Sequence, residues 1–306
     1  MSARKKPFDL IRRGEKRPTL SGTLTFIGLR IADIPLQHAL LSYSSPSVPS
    51  SPIGLGVRIL NSLGLRTIFT HTSTSLPSSL LLPITALISP PSSGRAALGW
   101  MAPLANLTPT SLLLLLMSAG STAKQIYWHL ALSQDSFPAS AAIAVSAYNT
   151  FVNSSNALLF LALGTTSLLS RPHISFSSGA TTENFTLPLS TVTGALLYVA
   201  GMAIETVSER QRAEFKSRAE NKGKVFKEGL WSWARHVNYF GYALWRGGYC
   251  MVGSGWIGGI LMGLWQGWDL SQRAVAVQDE YCSRRYGEQW VRFKQEVPYR
   301  IIPGVY

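Results

Sequence analysis

The residues best suited to chemistry lie in the last third of the chain, where cations, amides, a histidine and tryptophans stand beside strongly apolar sequence. They occupy residues 205–216, 229–241, 286–290 and 297–306. Arginine offers phosphate a planar fork of donors and lysine a point charge. Charge beside a membrane is costly to keep unless it has a task. The cluster therefore predicts a pocket for a large anionic cofactor.

The first block is expected to be a helix that continues out of a membrane segment. Glu205, Glu209, Arg212 and Lys216 follow one another at spacings of four, three and four, which places them on one helical face. Such a face is ordinarily a solvated row of charge pairs. Because this helix continues a membrane segment, we expect the face to line a polar cavity, with Arg212 and Lys216 against phosphate oxygens.

The second block, residues 229–241, adds groups of other chemistry. Arg235 and His236 can neutralise phosphate, and Trp231 offers a flat face to a base or ring. The amide of Asn238 is both donor and acceptor, as reading a carboxamide such as that of nicotinamide requires. An aromatic belt with an arginine at the membrane interface explains the composition equally well.

Composition indicates an integral membrane protein. The chain has 306 residues, of which 46% are hydrophobic and 14% charged. Its 28 Lys and Arg are concentrated, with seven in residues 1–20, nine in 207–246 and six in 273–306. Cations that flank apolar segments are typical of cytosolic loops, so anionic lipid is the expected partner and nucleic acid is not. Two cysteines and five scattered histidines predict no metal site.

We expect an all-α bundle of about six or seven transmembrane helices, since a span needs roughly 20 apolar residues. The candidate spans are residues 20–42, 53–70, 95–119, 139–169, 186–206 and 239–266, with 71–94 as a loop, re-entrant piece or weak span and 171–187 as a loop. Three regions follow: a basic cytosolic tail (1–19), transmembrane helices on the substrate side (20–194) and a cofactor region (195–306) with a cytosolic C-terminus. The Pro-rich residues 297–306 are expected to pack as a cap.

Two of the blocks resemble the steroid 5α-reductase-like membrane reductases, which include the sterol C14 and C7 reductases. They are G-L-W-S-W-A-R-H-V-N-Y-F-G (229–241) and Y-G-E-Q-W followed by V-P-Y-R-I-I-P-G-V-Y (286–290 and 297–306), and the resemblance covers roughly residues 195–306. It implies an endoplasmic reticulum enzyme. Such an enzyme reduces a carbon–carbon double bond of a steroid, sterol or related lipid enone with NADPH.

The resemblance also implies which residues surround the cofactor. They are Glu205, Glu209, Arg212, Lys216, Trp231, Arg235, His236, Asn238, Tyr239, Asp279 and Tyr286. Two positions depart from the family pattern: Val237 replaces a proline, and Tyr242 stands where the family has an acid. The second departure also allows a protein that keeps the fold without catalysis.

A second alternative is a methyltransferase. The family's isoprenylcysteine carboxyl methyltransferase cousins use S-adenosylmethionine and share a similar Arg-His block with a late acidic pair, which Asp279 and Glu280 could match. The cations Arg212 and Lys216 favour the reductase, because S-adenosylmethionine carries no phosphate.

A reductase also needs a proton donor, expected in the first half of the chain and deep in the membrane. Tyr148, within the segment A-Y-N-T-F-V-N, is the predicted catalytic residue, with Gln125, Tyr127 and Asn149 behind it. A tyrosine in a membrane helix is more often an interfacial anchor.

Overall fold

The computed structural model describes residues 19–42, 54–68, 107–133, 135–163, 165, 171–177 and 184–306. These residues form helices and one short hairpin, so the all-α fold class is confirmed. The helices are α1 (Leu20–Leu41), α2 (Leu55–Ser62), α3 (Pro109–Tyr127), α4 (Ala139–Leu161), α5 (Leu189–Ser217), α6 (Val237–Asp269), α7 (Val275–Tyr286) and α8 (Glu288–Glu296). Helix α6 is interrupted by a kink at Ser254 and Gly255, whose backbone is not helical.

The structure corrects two of the predicted segments. Residues 53–70 do not form a span, because α2 has 8 residues and is followed by Gly64 with φ of +71°. A backbone in that left-handed region ends a helix. Residues 171–187 are not simply a loop: β1 (His173–Ser177) pairs antiparallel with β2 (Asn184–Pro188).

Helix α5 is the one described helix that is long and apolar enough to cross a membrane by length and composition. It runs unbroken for 29 residues, so the charged face predicted at residues 205–216 is a direct continuation of the apolar segment. Helix α4 ends at Leu161, short of the predicted 169. The predictions for residues 1–18 and 71–94 lie outside the described part of the chain.

Helices α5 and α6 lie antiparallel and touch through glycines spaced seven residues apart. A Cβ at Gly201 would lie 2.5 Å from the carbonyl oxygen of Gly241, and one at Gly248 would lie 2.5 Å from that of Gly194. Small residues of this kind let two helix backbones approach closely, as is common in membranes. The contact fixes how far the charged end of α5 stands from the start of α6.

A buried polar network joins α1, α3 and α4. Asp33 forms an ion pair with Arg30 at 3.3 Å and accepts hydrogen bonds from Gln37 at 3.0 Å and from Asn153 at 2.7 Å. Arg30 also donates to the hydroxyl of Thr122 at 2.9 Å. Buried charge is tolerated when it is paired and hydrogen-bonded, and here one carboxylate satisfies three donors.

We predict that Gly201→Ala destabilises the protein, because the new methyl group has to displace the backbone of α6. Overpacking of this kind costs about 1–3 kcal/mol. The matched control is Gly267→Ala in α6, where a Cβ meets nothing within 4 Å and the better helix propensity of alanine stabilises by up to about 1 kcal/mol. Thermal unfolding in detergent measures both variants. Equal melting temperatures for the two would contradict the close contact.

Candidate functional site

A partly open pocket lies where the charged end of α5 meets the start of α6 and helices α7 and α8. It combines cations, an amide, a histidine and aromatic rings. The lining residues are Arg212, Lys216, Val225, Phe226, Trp231, Arg235, His236, Asn238, Tyr239, Gln278, Cys282, Tyr286, Trp290 and Phe293. Eight of the predicted site residues are therefore brought together from three separate stretches of the chain.

Glu209 joins α5 to α6 behind two of the lining residues. Its carboxylate accepts from the guanidinium of Arg212 at 2.6 Å and from the side-chain amide of Asn238 at 2.7 Å. Glu209 is 5% exposed, so both bonds form in a medium of low dielectric constant, where they are strong. The carboxylate thereby fixes the positions of a guanidinium and an amide that both face the pocket.

The amide oxygen of Asn238 is buried and has no hydrogen-bond partner among the described residues. An unpartnered buried acceptor is costly, so this oxygen is available to a donor that enters the pocket. A carboxamide N–H is such a donor, and the neighbouring rings of His236 and Tyr239, stacked with centroids 5.3 Å apart, offer a flat wall.

The pocket has more positive than negative charge. Arg212 lies over the ring of Trp231 at 5.1 Å, and the ammonium of Lys216 lies 5.9 Å from the ring of Tyr286. No ion pair to Lys216 occurs in the described part of the chain. Burial raises the pKa of the Cys282 thiol, which keeps it neutral near pH 7. Arg212 pairs with Glu209 and Arg235 donates to backbone carbonyls, so Lys216 is the cation most available to an anionic ligand, and the pocket keeps a net positive charge.

Arg235 has a second task besides lining the pocket. Its guanidinium donates to the backbone carbonyls of Val297 at 2.5 Å and Pro298 at 3.0 Å. The backbone N–H of His236 donates to the carbonyl of Arg300 at 2.8 Å. These bonds hold residues 297–306 against the start of α6, as the predicted cap requires. Arg235, which we expected to bind phosphate, therefore also anchors the cap.

Four predicted residues lie outside the lining: Glu209, described above, Asp279, Glu205 and Tyr148. Asp279 accepts from the indole N–H of Trp290 at 2.6 Å and supports the wall from behind. Glu205 pairs with Lys124 of α3 and accepts from the indole of Trp245 at 2.6 Å, one helical turn deeper than Glu209.

Tyr148 stands on α4, away from the pocket, and its hydroxyl donates to Gln266 of α6 at 2.7 Å.

Six lining residues were not predicted as site residues, and they are Val225, Phe226, Gln278, Cys282, Trp290 and Phe293. Gln278 and Cys282 line the pocket one turn apart on α7, and their types gave no signal of it. Arg246 is fully buried in the middle of α6. A signal for it was available, because it is the one charged residue between Val237 and Trp268 in an otherwise apolar stretch.

Comparisons with known proteins agree with this architecture. The family model "Protein of unknown function (DUF1295)" matches residues 147–288. Over 280 residues the chain is 30% identical to "Probable O-methyltransferase ustE" of Ustilaginoidea virens, covering 92% of this chain and 84% of that protein. The Delta(14)-sterol reductase of Neurospora crassa is 28% identical over 158 residues, 37% of this chain and 32% of that protein.

The chain belongs to the steroid 5α-reductase-like membrane family. Members similar to it carry two different activities in their names. The "Probable 7-dehydrocholesterol reductase" of Acanthamoeba polyphaga mimivirus is 33% identical over 97 residues, 31% of this chain and 21% of that protein. The reductases thus match part of the chain, whereas the relative named as a methyltransferase matches nearly all of it.

We predict that Arg235→Met loosens the cap formed by residues 297–306. Two backbone carbonyls then lose their buried donor, which costs about 1–3 kcal/mol. Hydrogen–deuterium exchange of residues 297–306 measures the effect, with Arg292→Met as the control because Arg292 is exposed and pairs with Glu288 at the surface. Slow exchange in both variants would show that Arg235 does not hold the cap.

Proposed function

We propose that this chain is an NADPH-dependent membrane oxidoreductase that reduces a carbon–carbon double bond of a steroid, sterol or related lipid enone. The observation that carries the proposal is the buried cationic pocket. Arg212, Lys216 and Arg235 face it with Glu209 as the one carboxylate bonded to any of them in the described residues. An excess of cations there suits a ligand with several phosphate charges.

The residues present fit this cofactor. Arg212 and Lys216 bind phosphate oxygens at the open side, and Trp231 offers its ring to the base. Asn238 accepts from the carboxamide and holds the reactive ring in one orientation, since Glu209 fixes the amide itself. Bound NADPH supplies a hydride, and the protein supplies position and electrostatics.

Tyr148 is our candidate for the proton donor. It is half-buried on α4, where its hydroxyl is oriented by Gln266 and its ring lies 5.6 Å from the guanidinium carbon of Arg246. Its position in the membrane half, away from the cationic pocket, suits a group that works on the lipid substrate while the cofactor occupies the other side.

A methyltransferase is the second candidate, favoured by the relative named as a probable O-methyltransferase that matches 92% of the chain. Two properties of S-adenosylmethionine weigh against it. It carries no phosphate, and its sulfonium is a cation that the excess charge of Arg212, Lys216 and Arg235 would repel. The chemistry of the pocket therefore favours the reductase.

We place the protein in the endoplasmic reticulum membrane with its C-terminal region in the cytosol. The nine Lys and Arg of residues 207–246 and the six of 273–306 support that orientation by the positive-inside rule. The cytosol is also where NADPH is available to the open side of the pocket.

The cofactor is tested by direct binding to detergent-solubilised protein, comparing NADPH, NADH and S-adenosylmethionine by calorimetry. We predict selective binding of NADPH. Lys216→Met should weaken it about tenfold or more, because a charged hydrogen bond contributes about 1.5–3 kcal/mol. Lys227→Met is the control, since Lys227 pairs with Glu296 at an exposed surface. Binding of S-adenosylmethionine alone would replace the reductase by the methyltransferase.

Tyr148→Phe tests the proton donor. We predict a 10²–10⁴-fold loss of turnover, the usual contribution of general acid catalysis, with NADPH affinity unchanged, because Tyr148 lies outside the cofactor pocket. Tyr299→Phe, at an exposed position in the cap, is the control. Full turnover in the Tyr148 variant would exclude it as the donor.

A further inference from the structure

Arg246 is a fully buried cation in the membrane half of the molecule, and the cofactor pocket does not use it. It lies on α6 with a relative exposure of 0%. Its guanidinium donates to Asn149 at 2.5 Å, to the hydroxyl of Tyr242 at 3.2 Å and to Asn153 at 3.5 Å. All three partners are uncharged. The Nε–H group is buried without a hydrogen-bond partner among the described residues.

The neighbouring buried charges are already balanced in pairs. Arg30 pairs with Asp33, and Lys124 pairs with Glu205. No carboxylate of the described residues lies within ion-pair distance of Arg246. The centre of the bundle therefore holds one positive charge without a counter-charge, which is costly in a membrane protein and typical of a functional site.

We infer that Arg246 holds the oxygen of the substrate, and that the substrate is a conjugated ketone rather than an isolated or diene double bond. The inference rests on the proposed function. Reduction of a sterol diene passes through a carbocation, which a buried guanidinium would destabilise. Reduction of an enone instead places negative charge on oxygen, which the same guanidinium stabilises.

The electrons of this step are accounted for. A new C–H bond forms at the β-carbon with the hydride of NADPH, the pair of the carbon–carbon π bond moves toward the carbonyl, and the oxygen becomes an enolate held by Arg246. The hydroxyl of Tyr148, our candidate donor, then gives its proton to the α-carbon and is reprotonated from water, so the ketone is recovered, the double bond is reduced and the cofactor leaves as NADP⁺. Arg246 keeps its own proton throughout.

The position of Arg246 suits this task. Asn238, Tyr242 and Arg246 follow one another at intervals of four residues on one face of α6, and the first and last are about 12 Å apart along the helix axis. The cofactor pocket is at one end of this line and the guanidinium at the other. The rings of Tyr148 and Tyr242 both lie 5.6 Å from the guanidinium carbon and are partly exposed, so a substrate that approaches Arg246 passes beside the hydroxyl of Tyr148.

This arrangement explains why position 242 holds a tyrosine rather than an acid. Its hydroxyl oxygen accepts from Arg246, so its own proton is directed elsewhere. An acid at position 242 would neutralise the guanidinium and remove the electrophile that we assign to the substrate oxygen. The tyrosine leaves the charge in place.

Binding of 2-naphthol, a phenol that mimics an enolate oxygen, tests the site without turnover. We predict that the bound naphthol ionises in the wild-type protein with an ionisation constant at least about tenfold larger than in Arg246→Met, because an opposite charge within a few ångströms favours the anion. Arg246→Lys should retain part of the effect. Arg292→Met, which removes an exposed arginine, should behave as wild type. Absorption spectra report the ionisation directly.

Turnover completes the test, with cofactor affinity measured in parallel. We predict reduction of a steroid enone and not of a sterol diene, a loss of about 10²–10³-fold in Arg246→Met, and unchanged NADPH binding. Because the removed charge has no counter-charge, the variant should unfold at the same temperature as wild type or higher.

Each outcome decides something. Equal naphthol ionisation in wild type and Arg246→Met, or reduction of the diene alone, overturns the inference while leaving the proposed function in place if NADPH binds. Failure of NADPH binding, with naphthol ionisation still dependent on Arg246, overturns the proposed function and keeps the oxygen site. A lower unfolding temperature in Arg246→Met, with unchanged naphthol binding, makes Arg246 structural and also overturns the inference.

Discussion

The close contact between α5 and α6 is the constraint on which the rest depends. Glycines at positions 194 and 201 face glycines at 248 and 241, so the two backbones touch. At that separation the carboxylate of Glu209 on α5 reaches Asn238 on α6, and Glu205 reaches Trp245. A wider spacing would break both bonds and leave their buried groups unpaired. The glycine contacts between α5 and α6 thus determine whether the carboxylates of Glu205 and Glu209 reach their hydrogen-bond partners.

Charge is distributed in the molecule according to what each part contacts. The network around Asp33 is balanced in charge and joins helices, because the carboxylate pairs with Arg30 and accepts hydrogen bonds from Gln37 and Asn153. The cofactor pocket and the surroundings of Arg246 are both left positive within the described residues. In the bundle, balanced charge supports the fold, whereas unbalanced charge lies at the two sites where we propose that ligands bind.

The sequence predicted what depends on local spacing. The charged face of α5 followed from intervals of three and four residues, and the helix is present over its whole length. The predicted span at residues 53–70 was wrong because the positive φ of Gly64 ends α2, although the segment is rich in apolar residues. The bonds of Arg235 to the carbonyls of Val297 and Pro298 were not predictable, since any residue offers a backbone carbonyl and only the fold selects these two.

One consequence follows from the position of Glu209. The same carboxylate holds Arg212 with one oxygen and Asn238 with the other. A ligand that breaks the ion pair between Arg212 and Glu209 leaves the carboxylate more negative toward Asn238 and strengthens its bond to that amide. The two ends of the pocket are therefore energetically coupled. Free energies measured for single replacements at Arg212 and Asn238 will therefore not sum to that of the double replacement. Because Arg212 and Asn238 share one carboxylate, neither residue has a contribution to the free energy of binding that is independent of the other.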